Sequence, residues 1–148
     1  MTNRLRKVLL GGLLALLAVG ASAGEDGATL YERLGAWDGI NRIVRDTIAS
    51  HQDNPAISHY FEQVDTDKLA GHVTAFFAAG TGGPSKYEGR DMTTTHASMG
   101  LSDADFDSAV ADVMKAVRKN GIDEKSAAEV AAILESLRPA VMGTAAEG

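Results

Sequence analysis

The segment that decides the fold is Lys86-Tyr87-Glu88-Gly89-Arg90-Asp91-Met92-Thr93-Thr94-Thr95-His96, a polar loop that ends in a histidine. A neutral imidazole in this position can bind iron if a nearby carbonyl or hydroxyl fixes its second ring nitrogen. The other interpretation is a structural histidine held by hydrogen bonds, which the spacing favours when it is taken alone. The segment therefore gives a candidate ligand, His96, and leaves both interpretations open.

A second histidine, His72, lies on the apolar face of a predicted helix together with Leu69, Val73 and Phe76. Two histidines that face each other across an apolar gap suit an iron cofactor, whereas a core histidine bonded to a carbonyl is the alternative. Four phenylalanines are either ordinary core residues or the walls of a site for a flat aromatic cofactor: Phe61, Phe76, Phe77 and Phe106. His51 and His59 lie in a polar stretch, and we expect them to be surface or cap residues without a role.

Apolar residues recur at helical spacing in the rest of the chain, and no stretch alternates with a period of two. The sequence therefore predicts an all-α domain without internal repeats. The expected buried faces are Ile40, Ile43, Val44, Thr47 and Ile48; Phe106, Val110, Val113, Met114 and Val117; and Ala127, Val130, Ala131, Leu134 and Leu137.

Polar residues and glycines predict where the helices begin and end. The expected starts are Thr29 with Glu32, Asp38, Asn54-Pro55, Asp65 or Thr66, Ser102 with Asp105, and Asp123. The expected ends are Gly35, Tyr60-Phe61, Asn120-Gly121 and Leu137, with Pro139 beyond the last helix. Residues 80–89 are rich in glycine and form a long loop, and Gly82-Gly83-Pro84 within it terminates a helix and does not bind phosphate.

The amino terminus has the form of a secretory signal, in which a basic start precedes an apolar run and an Ala-x-Ala ending. The run from Val8 to Val19 is shorter than the roughly 20 residues of a membrane helix. We therefore expect residues 1–23 to be removed after Ala23, leaving residues 24–148 as one exported domain without a stable membrane span, periplasmic or secreted.

The composition excludes several other classes of protein. The chain has no cysteine, so disulfides, thiolate metal sites and the thioether attachment of a c-type haem are excluded. Its formal net charge is −6, and loss of the basic signal makes the mature chain more acidic, which disfavours nucleic-acid binding. Zinc-protease, phosphate-loop and nucleophile-elbow motifs do not occur.

Several motifs in a fixed order resemble the group I truncated haemoglobins over residues 29–141. They are Leu30-Tyr31-Glu32-Arg33-Leu34-Gly35, Tyr60-Phe61 before Val64-Asp65, His72-x3-Phe76, Gly82-Gly83-Pro84, Tyr87-x-Gly89-Arg90-x-Met92-x3-His96 and Gly100-Leu101-x4-Phe106. The resemblance implies a two-on-two helical sandwich around one non-covalently bound haem b. It further implies that His96 is the proximal iron ligand.

The resemblance also implies which residues surround the haem. Phe61 and Phe76 match phenylalanines that pack near the porphyrin, and Tyr87 and Arg90 match positions near its edge and propionates, where an arginine can pair with a carboxylate. The expected cofactor-binding residues are His96, His72, Phe61, Phe76, Leu69, Val73, Ile48, Tyr87, Arg90, Met92, Leu101 and Phe106.

The chain departs from the family at the positions that stabilise bound oxygen. Ile48 and Leu69 occupy the places of a tyrosine and a glutamine, and neither can donate a hydrogen bond. His72 is then the obvious polar residue of the distal face, and we expect it either to bind the iron at rest or to hydrogen-bond a diatomic ligand. No histidine follows His96, so covalent haem attachment through the final helix is not expected.

The resulting hypothesis is an exported haemoglobin that reversibly binds oxygen, nitric oxide or carbon monoxide. An enzymatic alternative is nitric oxide dioxygenation or peroxidase-like turnover, although the lost donors argue against efficient oxygen activation. A second alternative is an electron carrier with His72 and His96 both on the iron, which requires a redox partner protein. A haem-free helical module is the last alternative.

Overall fold

A computed structural model of the protein describes residues 27–144. The predicted signal peptide lies outside the described residues. The helices are α1 (Leu30–Arg33), α2 (Ala36–Asp53), α3 (Thr66–Gly80), α4 (Met92–His96), α5 (Asp103–Lys119) and α6 (Glu124–Val141), with a 3₁₀ turn at Ser58–Phe61. Residues 27–144 contain no strand, which confirms the all-α prediction. None of these helices is long and apolar enough to span a membrane.

The long helices form two packed pairs. Helix α2 packs against α3, α5 packs against α6, and α2 also contacts α5 and thereby joins the two pairs. This is the predicted two-on-two sandwich. The short α1 and α4 both contact α6, so α4, which ends in His96, is held against the second pair.

The core between the helices consists of aliphatic side chains. Its fully buried members come from five of the six helices and include Leu30, Ile40, Ala70, Val117 and Ala127. Val110 and Val113 of the predicted α5 stripe pack against this core but are only partly buried, because they also line the cavity described below.

Polar caps fix the starts of several helices as predicted. Thr29 with Glu32 and Ser102 with Asp105 form complete capping boxes. The Asp65 carboxylate accepts a hydrogen bond from the Lys68 amide at 3.0 Å and thus caps α3. Each such cap contributes on the order of 1 kcal/mol to stability.

The start predicted at Asp38 is wrong, because α2 begins one turn earlier. Gly35 is its N-cap and adopts a left-handed conformation with φ +87°, so the chain turns directly from α1 into α2. Asp38 lies in the first turn, where its charge complements the helix dipole. The tight turn brings Gly39 onto the Leu34 carbonyl, since a Cβ at Gly39 would collide with that oxygen.

We expect Gly39→Ala to destabilise the protein by about 2 kcal/mol or more, because the methyl group forces the two helices apart. A loss of stability is unusual for this substitution, since alanine in place of a helical glycine normally stabilises a protein by about 1 kcal/mol. Gly71→Ala in α3 is the matched control, as a Cβ there meets nothing within 4 Å. Urea unfolding of both variants measures the difference, and equal effects would contradict the close approach.

The short helical piece predicted after α2 ends at Phe61 as expected, but its predicted start at Asn54-Pro55 is wrong. Asn54 ends α2, and its side-chain oxygen accepts from the Ala56 amide at 3.1 Å in a local turn. Its side-chain nitrogen donates to Ser108 and Asp112 of α5, both at 2.9 Å. Asn54 therefore connects α2 to α5 instead of capping a helix, and the 3₁₀ turn begins only at Ser58.

The last helix runs to Val141 and contains Pro139, which was expected beyond its end. Pro139 has no N–H, so the hydrogen bond to the Glu135 carbonyl is missing, and a proline ring inside a helix also crowds that oxygen. The Met142 amide donates to the Arg138 carbonyl at 2.8 Å, so the turn is completed around the proline. Arg138 also lies 4.2 Å from the centre of the Phe106 ring and pairs with Asp107, which fastens α6 to α5.

Candidate functional site

An apolar cavity of about 300 Å³ lies between the two helix pairs. All of the predicted cofactor-binding residues line it except Arg90: His96, His72, Phe61, Phe76, Leu69, Val73, Ile48, Tyr87, Met92, Leu101 and Phe106. Arg90 is exposed, and its backbone carbonyl accepts a hydrogen bond from the Tyr87 hydroxyl at 3.1 Å. The fold thus gathers side chains that are far apart in the sequence around one cavity.

His96 ends the short helix α4 on one wall of this cavity. The Asp91 side chain caps α4 by accepting from the Thr94 amide at 2.7 Å, and hydrogen bonds from Thr94 lower the pKa of this carboxyl. His96 Nδ1 lies 2.8 Å from the Met92 carbonyl, which can only accept, so Nδ1 carries the proton. The lone pair of Nε2 is consequently left for a ligand, in the arrangement typical of metal-bound histidines.

His72 projects from α3, a different wall of the cavity. His72 borders the cavity but is exposed to solvent, although its place on the apolar face predicted an inward-pointing side chain, and within residues 27–144 its ring has no hydrogen-bonding partner. The alternative of a core histidine bonded to a carbonyl is therefore wrong for His72. Its neighbours on the same wall, Leu69 and Val73, offer no hydrogen-bonding groups.

Aromatic side chains line the cavity where α3 meets the following loop. The Phe76 ring is perpendicular to that of Tyr87, with centroids 5.2 Å apart, and perpendicular to that of Phe77 at 6.0 Å. Edge-to-face pairs of this kind hold the loop on the helix. Gly89 permits the arrangement, because a Cβ there would overlap the Tyr87 ring.

His51, to which the sequence assigned no role, is buried and lines the cavity. Only 9% of it is exposed, its ring stacks on Phe61 with centroids 5.1 Å apart, and Nδ1 lies 3.0 Å from the Asp112 carboxylate. Burial lowers the pKa of His51, while Asp112 opposes that shift. The expectation of a surface residue is wrong because α2 continues to Asp53, so position 51 extends the buried face one turn beyond Thr47.

The lining contains polar residues that the sequence reasoning missed. Thr47 and His51 belong to α2, and Tyr60 and Asp105 form a hydrogen bond of 3.2 Å at another part of the cavity. If the helical periodicity of α2 is continued past Ile48, it places His51 on the buried face. The sequence placed Thr47 on that face as well but gave it no role at the site. No sequence signal pointed to the pairing of Tyr60 with Asp105.

The side chains present fit an iron macrocycle. Two histidines from different helices, α3 and α4, line a cavity whose other walls are mainly apolar and aromatic, and such a lining suits a metal that brings its own equatorial ligands.

Comparisons with known proteins point in the same direction. The sequence model of the bacterial-like globins matches residues 29–143. The chain is 33% identical to the group 1 truncated hemoglobin GlbN of Synechocystis over 110 residues, which are 72% of this chain and 89% of the relative. It is 26% identical to a group 1 truncated hemoglobin of Tetrahymena pyriformis over 115 residues, 78% of this chain and 95% of the relative. The crystal structure of the T. pyriformis truncated hemoglobin in its Fe(III) form superposes with a TM-score of 0.74 at 25% identity, covering 78% of this chain and 98% of the other.

Proposed function

The chain belongs to the bacterial-like globin family, and from this premise we propose that it binds one haem b without a covalent link and holds diatomic gases reversibly at the haem iron. The observation that carries the proposal is His96, whose Nδ1 is fixed by the Met92 carbonyl while Nε2 is free for iron. The haem supplies an iron that binds oxygen, nitric oxide or carbon monoxide and changes oxidation state.

The protein's contribution on the proximal side is to hold and orient one imidazole. The hydrogen bond from Nδ1 to the Met92 carbonyl fixes the ring and raises the basicity of Nε2. Because α4 is short, the Asp91 cap and the contacts of α4 with α6 keep His96 in place. If haem binds in the cavity, His96 would hold its iron, and Phe61 and Phe76 would pack against it.

The apolar walls exclude water and thereby slow oxidation of ferrous iron. On the distal side Ile48 and Leu69 line the cavity and cannot donate a hydrogen bond to a gas ligand. His72 supports two roles, since its unpaired ring on α3 can either coordinate iron or donate to a ligand.

The second candidate function is electron transfer with His72 and His96 both on the iron. It is favoured by the lack of any hydrogen-bonding partner for His72 in residues 27–144 and by the position of His72 on the lining of the same cavity as His96. Such a carrier needs a partner protein, and the acidic chain suits a basic one. Nitric oxide dioxygenation and peroxidase-like turnover have less support, because both depend on preorganised donors at bound oxygen.

Export is part of the proposal. The basic start, the apolar run and Ala21-Ser22-Ala23 support removal of residues 1–23 and a periplasmic or secreted location. Terminal sequencing of the protein recovered from cell fractions tests this. A mature chain that starts at Gly24 outside the cytoplasm supports export, whereas an intact cytoplasmic chain rejects it.

Visible spectra of the mature chain titrated with haem test the main proposal. We expect one haem per chain, a carbon monoxide complex after reduction, and full recovery of the starting spectrum when the gas is removed. An electron carrier would instead keep an unchanged six-coordinate spectrum under carbon monoxide. Absence of haem uptake would reject both functions.

A further inference from the structure

The hydrogen bond between Tyr60 and Asp105 is a polar contact on the cavity lining that the proposed function does not use. The Tyr60 hydroxyl donates to Asp105 Oδ2 at 3.2 Å, and both residues line the cavity. Each is next in sequence to an aromatic lining residue, Phe61 or Phe106, so the pair joins the 3₁₀ turn to α5 at the wall of the site. A phenol bonded to a carboxylate can lose an electron and a proton together, because the base is already in place.

Asp105 is a carboxylate that stays ionised and can take up this proton. Its Oδ2 also accepts from the Ser102 amide at 2.9 Å and from the Ser102 hydroxyl at 2.8 Å. Hydrogen bonds from Ser102 and from Tyr60, together with the charge of His59, lower the pKa of Asp105. Burial and Asp105 raise the pKa of the Tyr60 phenol, so at neutral pH the phenol keeps its proton and the carboxylate is unprotonated.

The other two tyrosines of the chain lie in contrasting environments. Tyr31 does not line the cavity, and its hydroxyl accepts from the Trp37 amide at 3.1 Å. Tyr87 lines the cavity, but its hydroxyl donates to the Arg90 carbonyl, which is too weak a base to take up a proton. Within residues 27–144, which contain all three tyrosines, Tyr60 alone combines a place on the cavity lining with an anionic proton acceptor.

We propose that Tyr60 is a redox-active residue that gives an electron to a haem oxidised by peroxide and its proton to Asp105. The inference rests on the proposed haem function, but it depends neither on which gas binds nor on the role of His72. Electron transfer needs no hydrogen-bonding contact with the iron, so a place on the cavity lining is sufficient. Because Tyr60 is also partly exposed, a small one-electron reductant in solution can then restore the phenol.

Hydrogen peroxide supplies the oxidising equivalents. Its O–O bond breaks at ferric haem, one water leaves, and the haem with the remaining oxygen lacks two electrons relative to the resting state. Tyr60 returns one electron, its O–H bond breaks, and the proton passes to Asp105 Oδ2. The products are a neutral phenoxyl radical, a carboxylic acid and a haem that lacks one electron.

The test mixes haem-loaded protein with an equimolar amount of hydrogen peroxide, freezes it rapidly and records the electron paramagnetic resonance spectrum. The wild type is expected to give the signal of a neutral tyrosyl radical. Tyr60→Phe, which removes only the phenol oxygen, should lose this signal. Tyr31→Phe and Tyr87→Phe are the matched controls and should keep it, since neither hydroxyl is bonded to a carboxylate.

Asp105→Asn tests the base. It keeps an oxygen that can cap α5 but carries no charge, so the tyrosyl radical should form at least about tenfold more slowly. Ser102→Ala weakens the same cap without removing the base, so it separates a loss of proton transfer from a local loss of structure. His59→Phe keeps a ring beside Tyr60, now 4.0 Å away between centroids, and loss of the radical in this variant but not in Asp105→Asn would overturn the assignment of Asp105.

A second readout does not depend on peroxide. The pKa of the Tyr60 phenol, measured by ultraviolet titration against variants that carry Tyr60→Phe, should fall in Asp105→Asn because the charge that raises it is gone. A pKa that does not fall would overturn Asp105 as the base. An unchanged radical signal in Tyr60→Phe, with haem still bound, would overturn the redox role, whereas failure to take up haem would overturn the proposed function.

Discussion

His96→Gly is expected to abolish stable haem binding, with haem dissociating at least about a hundredfold faster than from the wild type. Loss of a residue that merely orients a metal ligand costs about 10- to 100-fold in affinity, so loss of the ligand itself should cost more. The structure supplies the reason, because Nδ1 is held by the Met92 carbonyl and Nε2 has no partner within residues 27–144. Transfer of haem to an excess of apomyoglobin measures the rate.

Two controls separate coordination from folding. Added imidazole should restore haem binding to His96→Gly, because the missing side chain leaves room for a free ligand against the same wall. His59→Gly removes an exposed histidine that does not line the cavity and should retain haem like the wild type. Retention of haem by His96→Gly without imidazole would show that another residue holds the iron.

Much of the fold was predictable because helix boundaries are encoded locally. Thr29 with Glu32 and Ser102 with Asp105 satisfy backbone amides three residues away, so the sequence alone identifies them. The pairing of helices into two layers followed from the family resemblance. Periodicity shows which face of a helix is buried, but it does not show which helix covers that face.

The wrong boundaries share a physical cause, which is competition from contacts distant in sequence. Asn54 has the side chain of a good helix cap, yet Ser108 and Asp112 of α5 take its amide group. Asp38 lost its predicted place as a cap because Gly35 adopts a left-handed turn and starts α2 earlier. Propensity rules treat such residues alone and therefore miss the tertiary partner.

His51 shows the same limit for the site. Its burial depends on α2 extending to Asp53, and its hydrogen bond depends on Asp112 lying opposite on α5. The periodicity of the sequence reveals that His51 is buried. No local feature of the sequence indicates its hydrogen bond with Asp112. Arg90 is a different case: its motif predicts a contact near the haem edge and propionates, and this stays a prediction, because its exposed side chain does not line the cavity.

His72→Ala is the second substitution for which we expect a large effect, on the resting spectrum and on carbon monoxide binding. If His72 closes the sixth coordination position at rest, its removal should replace the low-spin ferric and ferrous spectra by five-coordinate or water-bound forms. Carbon monoxide association should accelerate by about a hundredfold if His72 leaves the iron open about 1% of the time, since apparent affinity scales with the open fraction. Absorption spectra and flash photolysis measure the two effects.

A change in access must be distinguished from a change in coordination, and Val73→Ala does this. Val73 lies beside His72 on the α3 wall and lines the cavity, but it cannot bind iron. Its truncation widens the same region, so a rate limited by crowding should rise in Val73→Ala as well, with an unchanged resting spectrum. A rate that rises only in His72→Ala, together with loss of the low-spin bands, identifies His72 as the iron ligand.

If His72→Ala instead keeps the wild-type spectrum and only speeds the release of oxygen, His72 donates a hydrogen bond to the bound gas. If neither the spectrum nor the ligand kinetics change, both roles of His72 are wrong.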